Sequence, residues 1–151
     1  MAGIINISEA ANIGMHACMV LARSGPERKL RTRRIAETLG VSAAHLSKVL
    51  QRLGRAGLVE ATRGPRGGNR LARPAAAISL LDIYEALEGP LVDGDCLLPR
   101  PICGGGACCL LGGLLRDMNR AAREYLRGIS LAEACNDIRQ PVVQEELEKE
   151  S

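Results

Sequence analysis

The chain has 151 residues, with no Phe or Trp and only two Tyr. That length fits one domain with at most an appendage, and burying roughly 68–70% of the surface the unfolded chain exposes lets a core of Leu, Ile, Val, Ala and Met form without disulfide staples. The formal net charge of +3 conceals thirteen Lys or Arg against three Glu between Arg23 and Arg73, a balance of +10 that leaves −7 for the rest. So few aromatic rings argue against a stacking platform for single strands. No apolar run approaches the ~20 residues of a bilayer span, and the amino end lacks the layout of a signal peptide, so a soluble, cytoplasmic protein without membrane contact is expected.

The segment from Ile7 to Arg23 carries Ile13, Ala17, Val20 and Leu21 at helical spacing and stops at Gly25 and Pro26. Thr32 is placed to cap a short helix through Ile35, Ala36 and Leu39 that Gly40 ends. Ser42 then caps a helix whose Leu46, Val49, Leu50 and Leu53 fall on one face. Two helices joined by Gly40, Val41 and Ser42 predict a helix-turn-helix. Residues Leu58 to Thr62 read as a strand with a partner at Asn69 to Ala72, and the arginine- and glycine-rich stretch between them reads as the tip of a hairpin wing. Ser79 and Asp82 make a capping box for a helix reaching Leu87, closed by Gly89 and Pro90. From Leu91 to Cys109 periodicity disappears into a loop rich in Gly, Pro and Cys. Beyond it Leu111, Leu115, Met118, Ala122 and Tyr125 stand at steps of four, three, four and three, the spacing of a coiled-coil seam, which suits a dimer contact. Ser130 and Glu133 cap a last short helix before an acidic, polar tail.

The predicted fold is therefore mainly α with a small β-hairpin wing: a winged helix-turn-helix plus a long dimerisation helix. Its divisions are a DNA-binding domain at 1–90, a cysteine-rich loop at 91–109, the dimerisation helix and short helix at 110–140, and a flexible tail at 141–151. A lone basic block on an otherwise acidic chain is the electrostatic footprint of a surface that neutralises phosphates. In this motif the second helix enters the major groove of double-stranded DNA. Ala44, His45, Ser47 and Lys48 are the candidates for base edges, Arg52 and Arg55 for phosphates, and Arg63, Arg66 and Arg70 of the wing for backbone or an adjacent minor groove. A single exposed arginine is most often just solvated surface. The weight lies in turn, capped helix and basic hairpin occurring together.

Of six cysteines, Cys18 and Cys135 read as small buried hydrophobes. Cys96, Cys103, Cys108 and Cys109 crowd into fourteen residues. A cytoplasmic setting disfavours disulfides, and the intervals are wider than the usual zinc pairs, whereas thiolates around an iron–sulfur cluster tolerate such gaps. An enzyme is not expected: only His16 and His45 are present, neither set beside a serine-and-acid pattern.

The run Leu53-Gly54-Arg55-Ala56-Gly57-Leu58-Val59, followed by Arg63-Gly64-Pro65-Arg66-Gly67-Gly68, Ile78-Ser79-Leu80-Leu81-Asp82-Ile83 and Glu88-Gly89, resembles the Rrf2 superfamily of bacterial winged-helix regulators, in its IscR- and NsrR-like iron–sulfur branch. The resemblance implies a homodimer and three cluster cysteines, which fall on Cys96, Cys103 and Cys109, with Cys108 an extra thiol. The fourth ligand departs from the pattern. The position of the IscR-type histidine is Gly112, that of the NsrR-type acid is Asn12, and His16 stands one turn further on, with Cys108 as the other candidate. The resemblance implies a dimeric transcriptional regulator, repressor or activator, whose operator affinity follows a 2Fe-2S or 4Fe-4S cluster as a sensor of redox state, nitric oxide or iron. The alternative is a cluster-free relative governed by thiol chemistry, a small ligand or a protein partner.

Overall fold

The computed structural model describes residues 5–91, 98, 100, 102, 109 and 111–137. The elements follow the order α1 (Glu9–Ser24), α2 (Thr32–Leu39), α3 (Ala43–Arg55), β1 (Val59–Thr62), β2 (Gly68–Leu71), α4 (Leu80–Glu88), α5 (Gly112–Gly128) and α6 (Leu131–Asp137), with a 3-10 turn at Ala75–Ala77 before α4. The expected class, helical with one antiparallel hairpin, is the fold found.

Helix α1 starts where the Ser8 hydroxyl accepts from the Ala11 amide, and it buries Ile13, Ala17, Cys18, Val20 and Leu21. It runs through the middle of the molecule, packed against α2, α3, α4, α6 and β2. Gly14 permits its crossing with α4, since a Cβ there would come within 2.3 Å of a Leu87 methyl. The core joins these α1 residues to Ile35, Leu46, Val49, Leu53, Leu58, Ile78, Ile83 and Leu131. Leu131 is fully buried, so α6 closes the amino-terminal core although α5 precedes it in the chain. Backbone bonds from Leu80 to Ile129 and from Leu131 to Ile78 fasten that return. The capping boxes at Ser79 with Asp82 and at Ser130 with Glu133 both form, and the Ser130 bonds hold the Glu133 carboxyl below its ordinary range.

A second, smaller core of Leu81, Tyr84, Leu91 and Leu126, with Ala122 against it, seats α5 on α4. The segment before α1 crosses this junction: the Ile5 amide donates to Asn119 Oδ1 at 3.1 Å, and the Tyr84 hydroxyl donates to the Asn6 carbonyl at 3.1 Å. That explains a fully buried Asn119 on α5. The seam expected on this helix divides accordingly. Leu115 is buried and Ala122 packs on the second core, while Leu111, Leu114, Met118 and Tyr125 are exposed, with the exposed Ala121 completing a stripe at steps of three, four, three and four. The heptad pattern is real, but its outward face lies one position off from Leu115 and Ala122.

Burial pushes the Cys18 thiol up to about 12 from 9.0, with Cys135 beside it a smaller contribution. The folded state holds this proton more tightly than the unfolded chain. Its contribution is therefore complete below pH 9 and is lost as pH rises towards 12, about 4 kcal/mol in all. Urea unfolding between pH 8 and pH 11 should show the wild type losing stability faster than Cys18→Ala; parallel losses would exclude Cys18 as the source.

Candidate nucleic-acid interface

Helix α3 is set by its turn. Gly40 adopts the left-handed conformation at φ +65°, which a side chain would resist, and its amide closes on the Glu37 carbonyl at 3.2 Å. Two residues on, the Ser42 hydroxyl accepts from the His45 amide and starts α3. With Leu46, Val49, Leu50 and Leu53 buried, α3 shows solvent Ala43, Ala44, Lys48, Gln51, Arg52 and Arg55, with His45 and Ser47 half-buried. No acidic residue interrupts this surface. Ala44, His45, Ser47 and Lys48 occupy the amino-terminal half, where base edges come within reach of such a helix. Arg52 and Arg55 lie in the last turn, and Arg52 donates to the Leu87 carbonyl at the end of α4, which fastens α3 to the core.

The hairpin pairs Val59 with Leu71 through to Thr62 with Gly68, leaving Arg63 to Gly67 as its tip. A Cβ on Gly67 would lie 2.2 Å from the Thr62 carbonyl oxygen, so the tip can be this tight only with glycine there. Arg63 and Arg66 project into solvent. Arg70 is engaged instead, with Nε and a terminal nitrogen on Glu60 Oε2 at 3.1 and 3.0 Å. A groove of about 530 Å³ separates α3 from the hairpin, with Ser47, Gln51 and Arg55 on one wall and Arg63 and Asn69 on the other.

Asn69 is the residue that sequence reasoning missed. Its amide donates to the Leu30 carbonyl at 2.7 Å and its carbonyl accepts from the Leu30 amide at 2.9 Å, a third-strand rung across 39 residues of chain. Its side-chain amide, buried, donates to the Leu30 carbonyl at 3.2 Å and to the Thr32 hydroxyl at 3.1 Å. The Thr32 hydroxyl thus serves Asn69 rather than capping α2, whose amino-terminal cap is Arg31 without a side-chain bond. In the sequence Asn69 looks like one more turn-former after Gly67 and Gly68. Its only signal is its place at the start of a strand.

Of the predicted ligand set, Cys96, Cys103 and Cys108 lie outside the described residues, as does the 141–151 tail. Cys109 is half-buried, and its carbonyl accepts from the Gly112 amide at the start of α5 at 3.2 Å. His16 is exposed on α1, with Nδ1 2.8 Å from the Asn12 carbonyl oxygen. A carbonyl accepts only, so Nδ1 is the donor in this contact and Nε2 is the ring nitrogen left for a ligand to engage. No group of three or more metal-ligating side chains forms among the described residues, and no described helix is long and apolar enough to cross a membrane.

Residues 7–137 match the family model of Rrf2, described as an iron-dependent transcriptional regulator. The chain belongs to the Rrf2 family. It is 36% identical over 128 residues to the protein aau3 of Rhizobium meliloti, an alignment covering 84% of this chain and 82% of that one. Its match to the HTH-type transcriptional regulator IscR of Vibrio vulnificus is 35% over 103 residues, 68% of this chain and 61% of IscR. Among solved structures, CymR of B. subtilis superposes with a TM-score of 0.74 at 26% identity, over 89% of this chain and 99% of CymR. The Rrf2 assignment makes the chain a transcriptional regulator of a DNA-binding family.

Asn69→Ala would leave the Thr32 hydroxyl and part of the Leu30 carbonyl without their donor, an expected loss of about 1–3 kcal/mol. Urea unfolding measures it, and a change below about 0.5 kcal/mol would show that the side chain does not fasten the wing.

Proposed function

We propose that this Rrf2 protein is a homodimeric, operator-binding regulator whose DNA affinity is governed by an iron–sulfur cluster on Cys96, Cys103 and Cys109, with His16 as fourth ligand. The observation that carries the DNA part is the groove that an acid-free α3 and the arginine hairpin line together, with the hairpin fastened to the approach to α2 by the Leu30–Asn69 rung. Ala44, His45, Ser47 and Lys48 are assigned to base edges, and Arg55, Arg63 and Arg66 to phosphates or the minor groove. Arg52 and Arg70, each already engaged within the fold, are assigned supporting roles at the edge of that surface.

The donor chemistry fits a cluster. His16 offers Nε2 with its other nitrogen held by a backbone carbonyl, as ligating histidines ordinarily are. Cys109 sits one turn before α5, so the place of its thiol and the start of that helix are coupled through the Gly112 bond. When bound, a cluster supplies sensitivity to oxidation, nitric oxide and iron supply. The exposed stripe of Leu111, Leu114, Met118, Ala121 and Tyr125 is assigned to the partner copy of α5, since a two-fold operator needs two reading heads. A second reading, in which thiols, a small ligand or a protein partner replace the cluster, is favoured by the likeness to CymR, the global cysteine regulator of B. subtilis.

Anaerobic purification with iron and sulfide analysis decides between the two. A brown, iron- and sulfide-bearing protein whose spectrum changes in His16→Ala supports the cluster with this ligand set. An unchanged spectrum removes His16, and a colourless dimer that binds DNA supports the second reading. Met118→Glu, a charge placed in the middle of the exposed stripe, should shift the sedimenting species from dimer to monomer at micromolar concentration. A dimer that persists would place the contact elsewhere.

A further inference from the structure

Five of the thirteen cations between Arg23 and Arg73 fall within 28–34, the approach to and first turn of α2, a part of the chain belonging to neither α3 nor the hairpin. Arg33 pairs along the helix with Glu37 at 3.0 Å. The other four, Arg28, Lys29, Arg31 and Arg34, meet Arg66 of the wing tip around a hollow of about 390 Å³ floored by Leu30, Pro65 and Gly67. No acidic side chain is among the described residues that line it.

Several constraints hold this arrangement in place. Leu30 is 5% exposed and bonded through both backbone groups to Asn69. The Arg31 guanidinium donates to the Pro65 carbonyl at 3.0 Å and so folds the tip towards the α2 approach. A merely solvated set of cations would gain by spreading apart, because like charges at close range repel. Here the backbone fixes them around one concavity. The nearest acid along the chain, Glu27, lies on the Arg70 side, 3.9 Å from that guanidinium. The hollow is also continuous with the DNA face. Arg31 and Pro65 line a neighbouring hollow beneath the hairpin, and Thr32 and Asn69 of that hollow in turn line the groove beside α3.

We propose that the 28–34 cradle is a backbone-phosphate site that grips the duplex beyond the wing and lengthens the footprint of each reading head outward without reading sequence. This rests on the DNA-binding function argued above. A compact group of cations with no base-reading side chains matches phosphate chemistry, which contributes affinity and register rather than discrimination. Arg31 both contacts the wing tip and lines the cradle, so occupation of the cradle and the position of the wing are linked.

The test uses the full-length protein and fluorescence anisotropy on a random-sequence duplex of about 40 base pairs, from 50 to 200 mM KCl. Arg28→Ala with Lys29→Ala, and separately Arg34→Ala, should make the slope of log affinity against log salt shallower by about 0.9 for each phosphate no longer neutralised, and weaken binding roughly 5- to 10-fold for each such phosphate near 0.1 M salt. Arg31 is left intact because it holds the wing tip. The paired variant Arg28→Lys with Arg34→Lys keeps the charge and should keep the wild-type slope. A slope unchanged in the alanine variants overturns the cradle while leaving the DNA reading intact. An equal loss in the lysine variant also overturns it, by showing that the effect is structural. A wild type that fails to bind any duplex overturns both.

Discussion

The rung between Leu30 and Asn69 is the constraint on which the proposed DNA face depends. A two-stranded hairpin alone is marginal in water. Here its second strand gains a third neighbour through two backbone bonds and a buried side-chain amide that reaches the first residue of α2. Gly68 permits the approach, since a Cβ there would lie 2.9 Å from the Leu30 backbone. The wing, the approach to α2 and, through the Gly40 turn, α3 thereby become one body. Arg31 to Pro65 and Arg52 to Leu87 extend the same fastening outward to the wing tip and inward to α4.

Charge is distributed to suit that body. The cations of 23–73 are shared among the reading helix, the hairpin and the α2 approach, while the remaining chain is acidic. Within the basic block some arginines have structural partners: Arg70 holds Glu60 and Arg33 holds Glu37. Such exposed pairs add little stability, generally below 1 kcal/mol. What they do is fix the direction of a guanidinium and thin the repulsion among its neighbours.

The second half of the molecule connects to the first at two places. α5 rests on α4 through Leu81, Tyr84 and Leu126, and the segment at Ile5 and Asn6 crosses the junction by bonds to Asn119 and Tyr84. α6 then returns to α1, where Cys135 packs beside Met19. α5 is thus tied to the segment that leads into α1, and α6 to Met19 of that helix, which carries His16 on its outer surface. Local signals in the sequence account for much of this. Ser42, Ser79 with Asp82, and Ser130 with Glu133 start helices as their spacing predicts, and Gly40 ends one, because caps and stops depend on residues only three or four positions apart. Long-range partners are what sequence spacing cannot show. Thr32 reads as a cap but is taken by Asn69, Arg70 reads as a free wing arginine but meets Glu60, and Leu115 and Ala122 fit the outward seam, but Leu115 is buried and Ala122 packs against the core of Leu81, Tyr84 and Leu126.

The proposed function has two copies of one rigid head, α3 with its wing, reading a two-fold operator. Hydroxyl-radical footprinting on a duplex selected from a random pool tests it directly. The expected pattern is two symmetric protected half-sites with centres about 10–10.5 base pairs, or a multiple of that, apart, one face of the helix per head. A single asymmetric footprint, or a pool from which no sequence is enriched, would contradict it.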